Sequence, residues 1–156
     1  MSNDTLPGEV VRTGTVRVAL PAGQALDLFT AEGEIAWAPG WKPRYVTPPD
    51  GRPVAGGLWL TGEGSDEVLW RVQRFDRAAR EAEYLRISAG NRVVNVHVRC
   101  VADPDDASQT VAAVTYRVVP LSDAGREWLS AFTEETYAGM MREWERLIAQ
   151  SLRPGA

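Results

Sequence analysis

Between about residue 43 and residue 119 the chain repeatedly changes from apolar/polar alternation to turn residues and back. The alternating segments are "PRYVT", "GGLWLT", "DEVLWRVQRF", "AREAEYLRIS", "RVVNVHVRCV" and "TVAAVTYRVV", separated by "PPDGRP", "GEGS", "DRAA", "AGN" and "DPDDAS". Period-two alternation marks half-buried strands. Connectors this short cannot carry a crossover, so each strand must run antiparallel to the one before it. A seventh candidate stands upstream, where "TGTVRVAL" alternates Val16, Val18 and Leu20 against Thr15, Arg17 and Ala19 before Pro21 stops it.

Register follows from matching apolar faces. If "AGN" pairs Ile87 with Val94 and Leu85 with Val96, and "DRAA" pairs Trp70 with Leu85 and Val68 with Ile87, all six share one dry face. The opposite face then carries Arg71, Tyr84, Arg86, Asn95, His97 and Arg99. "DPDDAS" permits either register, so the inward face of the last strand, which holds Tyr116 and Arg117, stays open.

A dry sheet face needs a cover. The closing segment "LSDAGREWLSAFTEETYAGMMREWERLIAQSL" is the longest helical pattern in the chain. Ser122 is placed to cap its start, and at 100° per residue Leu129, Phe132, Thr136, Met140, Trp144 and Leu147 share a sector, with Trp128 and Tyr137 at its edges. One straight helix of that length would extend roughly 45 Å, with Gly139 the place to bend. Between the first two strands, Ala25, Leu28 and Phe29 at helical spacing predict one short helix ended by Gly33. Ile35 and Trp37 predict a second, ended by Pro39-Gly40. The reading is one α+β domain over residues 9–152, with a lead-in at 1–8 and a tail at 153–156.

Composition narrows the function classes. The chain has 156 residues and a net charge of -4, and its cations are not clustered, which argues against nucleic acid as a partner. No apolar run approaches a membrane span, and "MSNDTLPGEVVRTG" lacks the basic and apolar regions of a secretion signal, so no membrane role and a cytoplasmic location are expected. With one cysteine, Cys100, no internal disulfide can form, and the sequon at Asn3 carries no weight without secretion. One histidine, His97, lies three residues from Cys100 on a strand, so the two point to opposite faces and support neither a metal site nor a nucleophile–base pair. No metal and no cofactor are expected.

The element order, with "PAGQALDLFTAEGEIAWAPGWKP", "GLWLT", "VLWRVQRFD", "VTYRVVPLSDAG" and "MMREWERLI" in collinear sequence, resembles the SRPBCC superfamily of START-like, helix-grip proteins. The resemblance touches most of residues 15 to 148. It implies a curved seven-stranded antiparallel sheet wrapped around a long C-terminal helix, with two short helices between strands 1 and 2 closing one end of a cavity. Members of the superfamily include lipid and hormone binders, polyketide aromatase/cyclases, ring-hydroxylating oxygenase domains and activators of a heat-shock ATPase, so the fold does not choose a function. The oxygenase branch needs two histidines and a carboxylate, which this chain does not supply.

Three readings stay open. The first is a binding domain for a small hydrophobic molecule, held between sheet and helix by Trp37, Trp41, Trp70, Leu85, Val96, Phe132, Thr136, Met140 and Trp144; it requires a cavity larger than a few waters. The second is a cyclase/aromatase-like enzyme acting on a polyketide-like substrate. Its proton-transfer groups would be Glu83, which the expected register puts on the dry face, or Tyr116. For Glu83 the plainer alternative is an ion-pair ladder with Arg74 and Glu81, or solvent. The third is a co-chaperone-like protein-interaction module using an exposed "WAPGWKPRY" patch. Trp37 and Trp41 fall at the expected cavity mouth in a lid-like corner.

Overall fold

The computed structural model describes residues 5–155; the first four residues of the expected lead-in, with the Asn3 sequon, and the last residue of the tail lie outside them. Seven strands form one antiparallel sheet: β1 (Val10–Val18), β2 (Arg44–Thr47), β3 (Leu58–Thr61), β4 (Val68–Asp76), β5 (Glu81–Ser88), β6 (Arg92–Asp103) and β7 (Asp106–Pro120). Their order is β1-β7-β6-β5-β4-β3-β2. The hairpins lay β2 to β7 side by side in chain order, and β1 closes onto β7, pairing Val10 with Val118 through Val18 with Thr110. All seven expected strands are present.

Helix α1 (Ala22–Ala25) runs directly into a 3-10 turn at Leu26–Phe29, and a second 3-10 turn follows at Gly33–Ala36. Gly33 is required by close approach: a Cβ there would lie 1.8 Å from the Asp27 carbonyl oxygen. Thr30 staples the two turns, its hydroxyl donating to the Asp27 carbonyl at 2.8 Å and accepting from the Gly33 N–H at 3.0 Å.

The C-terminal helical pattern is two helices, α2 (Asp123–Ala131) and α3 (Glu134–Ser151). Ser122 caps α2 as expected, its Oγ accepting from the Gly125 N–H at 3.3 Å. The break falls at Phe132–Thr133 and not at Gly139, which lies inside α3. Phe132 leaves helical geometry with ψ at 59°, and Thr133 recaps the chain, its hydroxyl accepting from the Thr136 N–H. Restarting the helix changes its phase. The buried residues of α3 are Tyr137, Met141 and Ile148, while Thr136 is exposed and Met140 half-buried. Each fully buried side chain of that size contributes about 2 kcal/mol of apolar burial. The Tyr137 hydroxyl also donates to the Val114 carbonyl at 2.6 Å, tying α3 to β7.

The register of β5 differs from expectation by one residue on each side. Trp70 pairs with Arg86, Tyr84 with Val96, Arg86 with Val94 and Ile87 with Val93. Two local features set it. The β5–β6 turn closes at Ser88↔Arg92 with Gly90 at φ 70°, and the β4–β5 ladder contains a bulge between Val72 and Arg74. A one-residue slip exchanges faces along the whole strand. Ala82, Tyr84 and Arg86 therefore share the inner face with Val72, Trp70, Val94, Val96 and Val98, while Glu83, Leu85 and Ile87 share the outer face with Asn95, His97 and Val93.

Candidate functional site

The inner face and α3 enclose an aromatic interior. On the sheet side Trp41, Trp70, Trp59 and Tyr84 form a chain of ring contacts, with centroids 5.3, 5.7 and 5.9 Å apart in succession. On the helix side Trp37 meets Trp144 at 5.4 Å, Trp144 meets Tyr116 at 6.3 Å, and Tyr116 meets Phe132 at 6.0 Å. Each such pair contributes roughly 0.5–1.5 kcal/mol beyond burial.

Between these two aromatic walls lies a small cavity lined by Phe29, Ala31, Glu34, Trp59, Trp70, Tyr84, Val96, Val98, Tyr116 and Trp144. Only about 20 Å³ of it admits the centre of a water molecule, room for about one water. The indoles thus fill most of the space that sheet and helix enclose, and the opening is smaller than the cavity the sequence reading required. A cleft of about 260 Å³ under the β2–β3 end shares Ala31, Trp59 and Tyr84 as its wall, so Trp59 and Tyr84 stand as a partition between the two spaces.

The lid is fastened by hydrogen bonds to backbone carbonyls. Trp37 Nε1 donates to Leu28 at 2.8 Å and Trp41 Nε1 to Ala31 at 2.7 Å, while the buried Tyr84 hydroxyl donates to Phe29 at 2.6 Å. These bonds hold the two 3-10 turns over the open end of the sheet and place Glu34 against the cavity. They also turn both tryptophans inward: Trp37 is buried and Trp41 half-buried. The rings of "WAPGWKPRY" therefore do not form the exposed patch envisaged for a protein partner.

Two polar groups face this apolar space without hydrogen-bond partners among the described residues. The Glu34 carboxyl makes no hydrogen bond or ion pair with them, and the Tyr116 hydroxyl makes no hydrogen bond. Burial pushes the Glu34 carboxyl up to about 8, with the Arg86 guanidinium pulling against that shift without cancelling it. Burial likewise pushes the Tyr116 hydroxyl upward, so it carries its proton at neutral pH. A half-buried carboxyl set against apolar rings is held neutral because charge is costlier there than the lost ionisation. The indole N–H of Trp59, on the same lining, is buried without a partner.

The expected site residues divide by location. Trp70, Val96, Trp144 and Tyr116 line the cavity. Trp37, Trp41 and Phe132 stand behind them as ring neighbours. Leu85 and Glu83 are on the outer face, for the register reason above. Glu83 accepts there from Asn95 Nδ2 at 3.2 Å. Beside it Glu81 gathers Arg74 at 2.7 Å, His97 at 3.5 Å and Arg99 at 3.6 Å, so the ion-pair ladder is centred on Glu81. Thr136 faces solvent in the α3 cap and Met140 lies at the edge of the core. Cys100 is buried on the inner face and its thiol is pushed up to about 12 by that burial, so it is not a thiolate. Glu34, Trp59 and Tyr84 were missed. For Glu34 the apolar neighbour Ile35 gave the opposite signal, yet Ile35 is 51% exposed.

No protein-family model and no curated protein sequence matches the chain. Solved structures do match. Norcoclaurine synthase from Thalictrum flavum in complex with dopamine and hydroxybenzaldehyde is 14% identical, with a TM-score of 0.58 over 96% of this chain and 95% of that one. Ara h 8.0201 is 14% identical with a TM-score of 0.64, over 92% and 99%. The Zhui aromatase/cyclase from Streptomyces sp. R1128 is 17% identical with a TM-score of 0.62, over 95% and 98%. At these identities the likeness shows the fold, and the fold is the helix grip that the sequence resemblance implied.

Proposed function

We propose that the protein binds a small, flat, largely apolar molecule of one or two rings between the sheet and α3, with one polar group of the ligand meeting Glu34 and Tyr116. The observation that carries this reading is that a carboxyl and a phenol line one aromatic cavity with no partner of their own. A group left unsatisfied in such surroundings costs roughly 1–3 kcal/mol, and the single water that the space admits is what a ligand oxygen would displace. A ligand hydroxyl or carbonyl would satisfy both. The space as it stands admits about one water, far below an ordinary small-molecule pocket, so a ring enters only when at least one indole swings aside. A norcoclaurine synthase of the same fold has been solved in complex with dopamine and hydroxybenzaldehyde, which supports single-ring molecules as candidate ligands.

Native mass spectrometry of freshly purified protein tests the proposal, paired with tryptophan emission during titration with one- and two-ring aromatics. The expected result is a bound mass that denaturation releases, or saturable quenching of emission. A bare mass together with unchanged emission across the series contradicts it.

A second reading, proton transfer on the bound molecule, is favoured by one specific feature. A carboxyl titrating near 8 holds a proton at neutral pH and can both give and recover it. In this reading Glu34 takes the proton-transfer part expected of Glu83, with Tyr116 donating to the ligand oxygen. Taking a methyl proton requires the carboxylate form, so the protein would speed exchange of the acetyl methyl protons of 2-acetylnaphthalene for deuterium increasingly as pH rises through about 8. Glu34 accepts the proton while Tyr116 donates to the ketone oxygen, and both return to their starting forms on reprotonation. Glu34→Gln would abolish that rate while leaving affinity nearly unchanged; equal exchange rates for the two proteins exclude this reading.

A further inference from the structure

The inner face carries a second polar feature at its other end, where the β5–β6 turn meets α2. Arg86 and Arg92 are diagonal neighbours on this face, since Arg86 pairs with Val94 and Arg92 with Ser88. Such diagonals stand roughly 7–8 Å apart, within reach of long side chains. Each guanidinium lies against an indole: Arg92 Cζ is 3.6 Å from the Trp128 ring centroid and Arg86 Cζ is 5.3 Å from that of Trp70. Stacking holds the guanidinium planes and leaves their N–H edges to find acceptors.

Those acceptors are scarce. Arg92 Nη1 donates to Asn91 Oδ1 at 2.7 Å, but Nε of Arg92 and Nε of Arg86 are both buried without a partner. Among the described residues neither arginine has a carboxylate within ion-pair distance. Desolvation and the charge of Arg86 together bring Arg92 down to about 10. The two line a polar cleft of about 390 Å³ with Ser88, Asn91 and Trp128. The same lining includes Glu67, which pairs with Arg44 at 3.3 Å, and the exposed Asp66. Arg86 lines the cleft and lies over Trp70, whose ring lines the aromatic cavity, so it stands between the two.

We propose that Arg86 and Arg92 bind the anionic head, a carboxylate or a phosphate monoester, of the molecule whose rings occupy the cavity. This rests on the ring-binding function proposed above and gives its ligand an anionic head distinct from any oxygen that meets Glu34 and Tyr116, so that the ligand is an amphipathic aromatic anion. Two planar forks without counter-charge suit the paired oxygens of either head. Ser88 and Asn91 supply the remaining polar contacts.

Calorimetric titrations with 1-naphthoate, 1-naphthyl phosphate, methyl 1-naphthoate and inorganic phosphate alone test the assignment, in wild type, Arg92→Gln and Arg92→Lys. Circular dichroism of each variant confirms that it is folded. In wild type at low salt the anionic naphthalenes bind about 10-fold more tightly than the ester, and the preference shrinks as salt is raised. Arg92→Gln loses the preference with ester affinity unchanged, and Arg92→Lys, charged but without the fork, retains part of it. Whichever anion binds more tightly identifies the head group. Equal affinity for ester and anions in wild type overturns the anion site while the cavity function stands. Binding of inorganic phosphate with none of the naphthalenes supports the arginine pair but contradicts the cavity function on which the ligand assignment rests. Binding of none of the four overturns both.

Discussion

Glu34 and Tyr116 show how far a single side chain can be read from sequence. The alternation of "TVAAVTYRVV" establishes that Tyr116 and Arg117 point to opposite faces, but not which points inward. The tight β6–β7 turn decides it by pairing Tyr116 with Val96. Glu34 was hidden for a different reason: a 3-10 turn does not follow the 100° periodicity that would have put Ile35 inside. Its raised pKa has a measurable consequence. Folded, Glu34 keeps its proton to about pH 8, whereas unfolded it ionises in the ordinary carboxylate range. Between those limits the folded chain holds a proton that the unfolded chain has lost, so stability falls as pH rises through that window. Glu34→Gln removes the titration. The wild type is therefore expected to lose on the order of 2 kcal/mol relative to Glu34→Gln between pH 5 and pH 9, after discounting for the residue's partial exposure. Urea midpoints at the two pH values measure this, and parallel losses in both proteins would count against a half-buried, unpartnered carboxyl.

At the scale of elements, presence was easier to read than phase. Alternation and turn residues located every strand, and Ser122 marked a helix start. The β5 register failed because apolar residues occur on both faces of that strand. Leu85 and Ile87 suggested a dry face, while Tyr84 and Arg86, whose long side chains reach ring and backbone partners inside, looked suited to water. The helix break at Phe132–Thr133 had a signal in Thr133 and Glu134, a cap followed by an acidic first turn, but the apolar stripe ran across it. Two substitutions test the element contacts. Gly33→Ala sets a methyl against the Asp27 carbonyl and is expected to cost about 3 kcal/mol by forcing the two lid turns apart. Chemical denaturation measures it; a loss near zero would mean that the turns do not need their close approach. Tyr137→Phe removes the bond to the Val114 carbonyl and should cost about 1 kcal/mol while leaving the far-ultraviolet circular dichroism unchanged.

At the scale of the whole molecule, element order alone pointed to the helix grip, because a run of antiparallel hairpins with one dry face leaves a terminal helix as its cover. The interior was not legible to the same degree. The same tryptophans serve as packing and as lining, and whether they leave a space depends on rotamers that no spacing rule encodes. Those rings leave about 20 Å³ for water centres, together with a carboxyl and a phenol that no group among the described residues satisfies. The central claim is that an aromatic guest completes this interior. Two-dimensional NMR of the six tryptophan indole N–H groups during titration with methyl 1-naphthoate tests it most directly. The account predicts saturable shifts for Trp59, Trp70 and Trp144, with Trp128, outside the cavity, unmoved. Unshifted cavity indoles at saturating ligand, or shifts confined to Trp128, would contradict it.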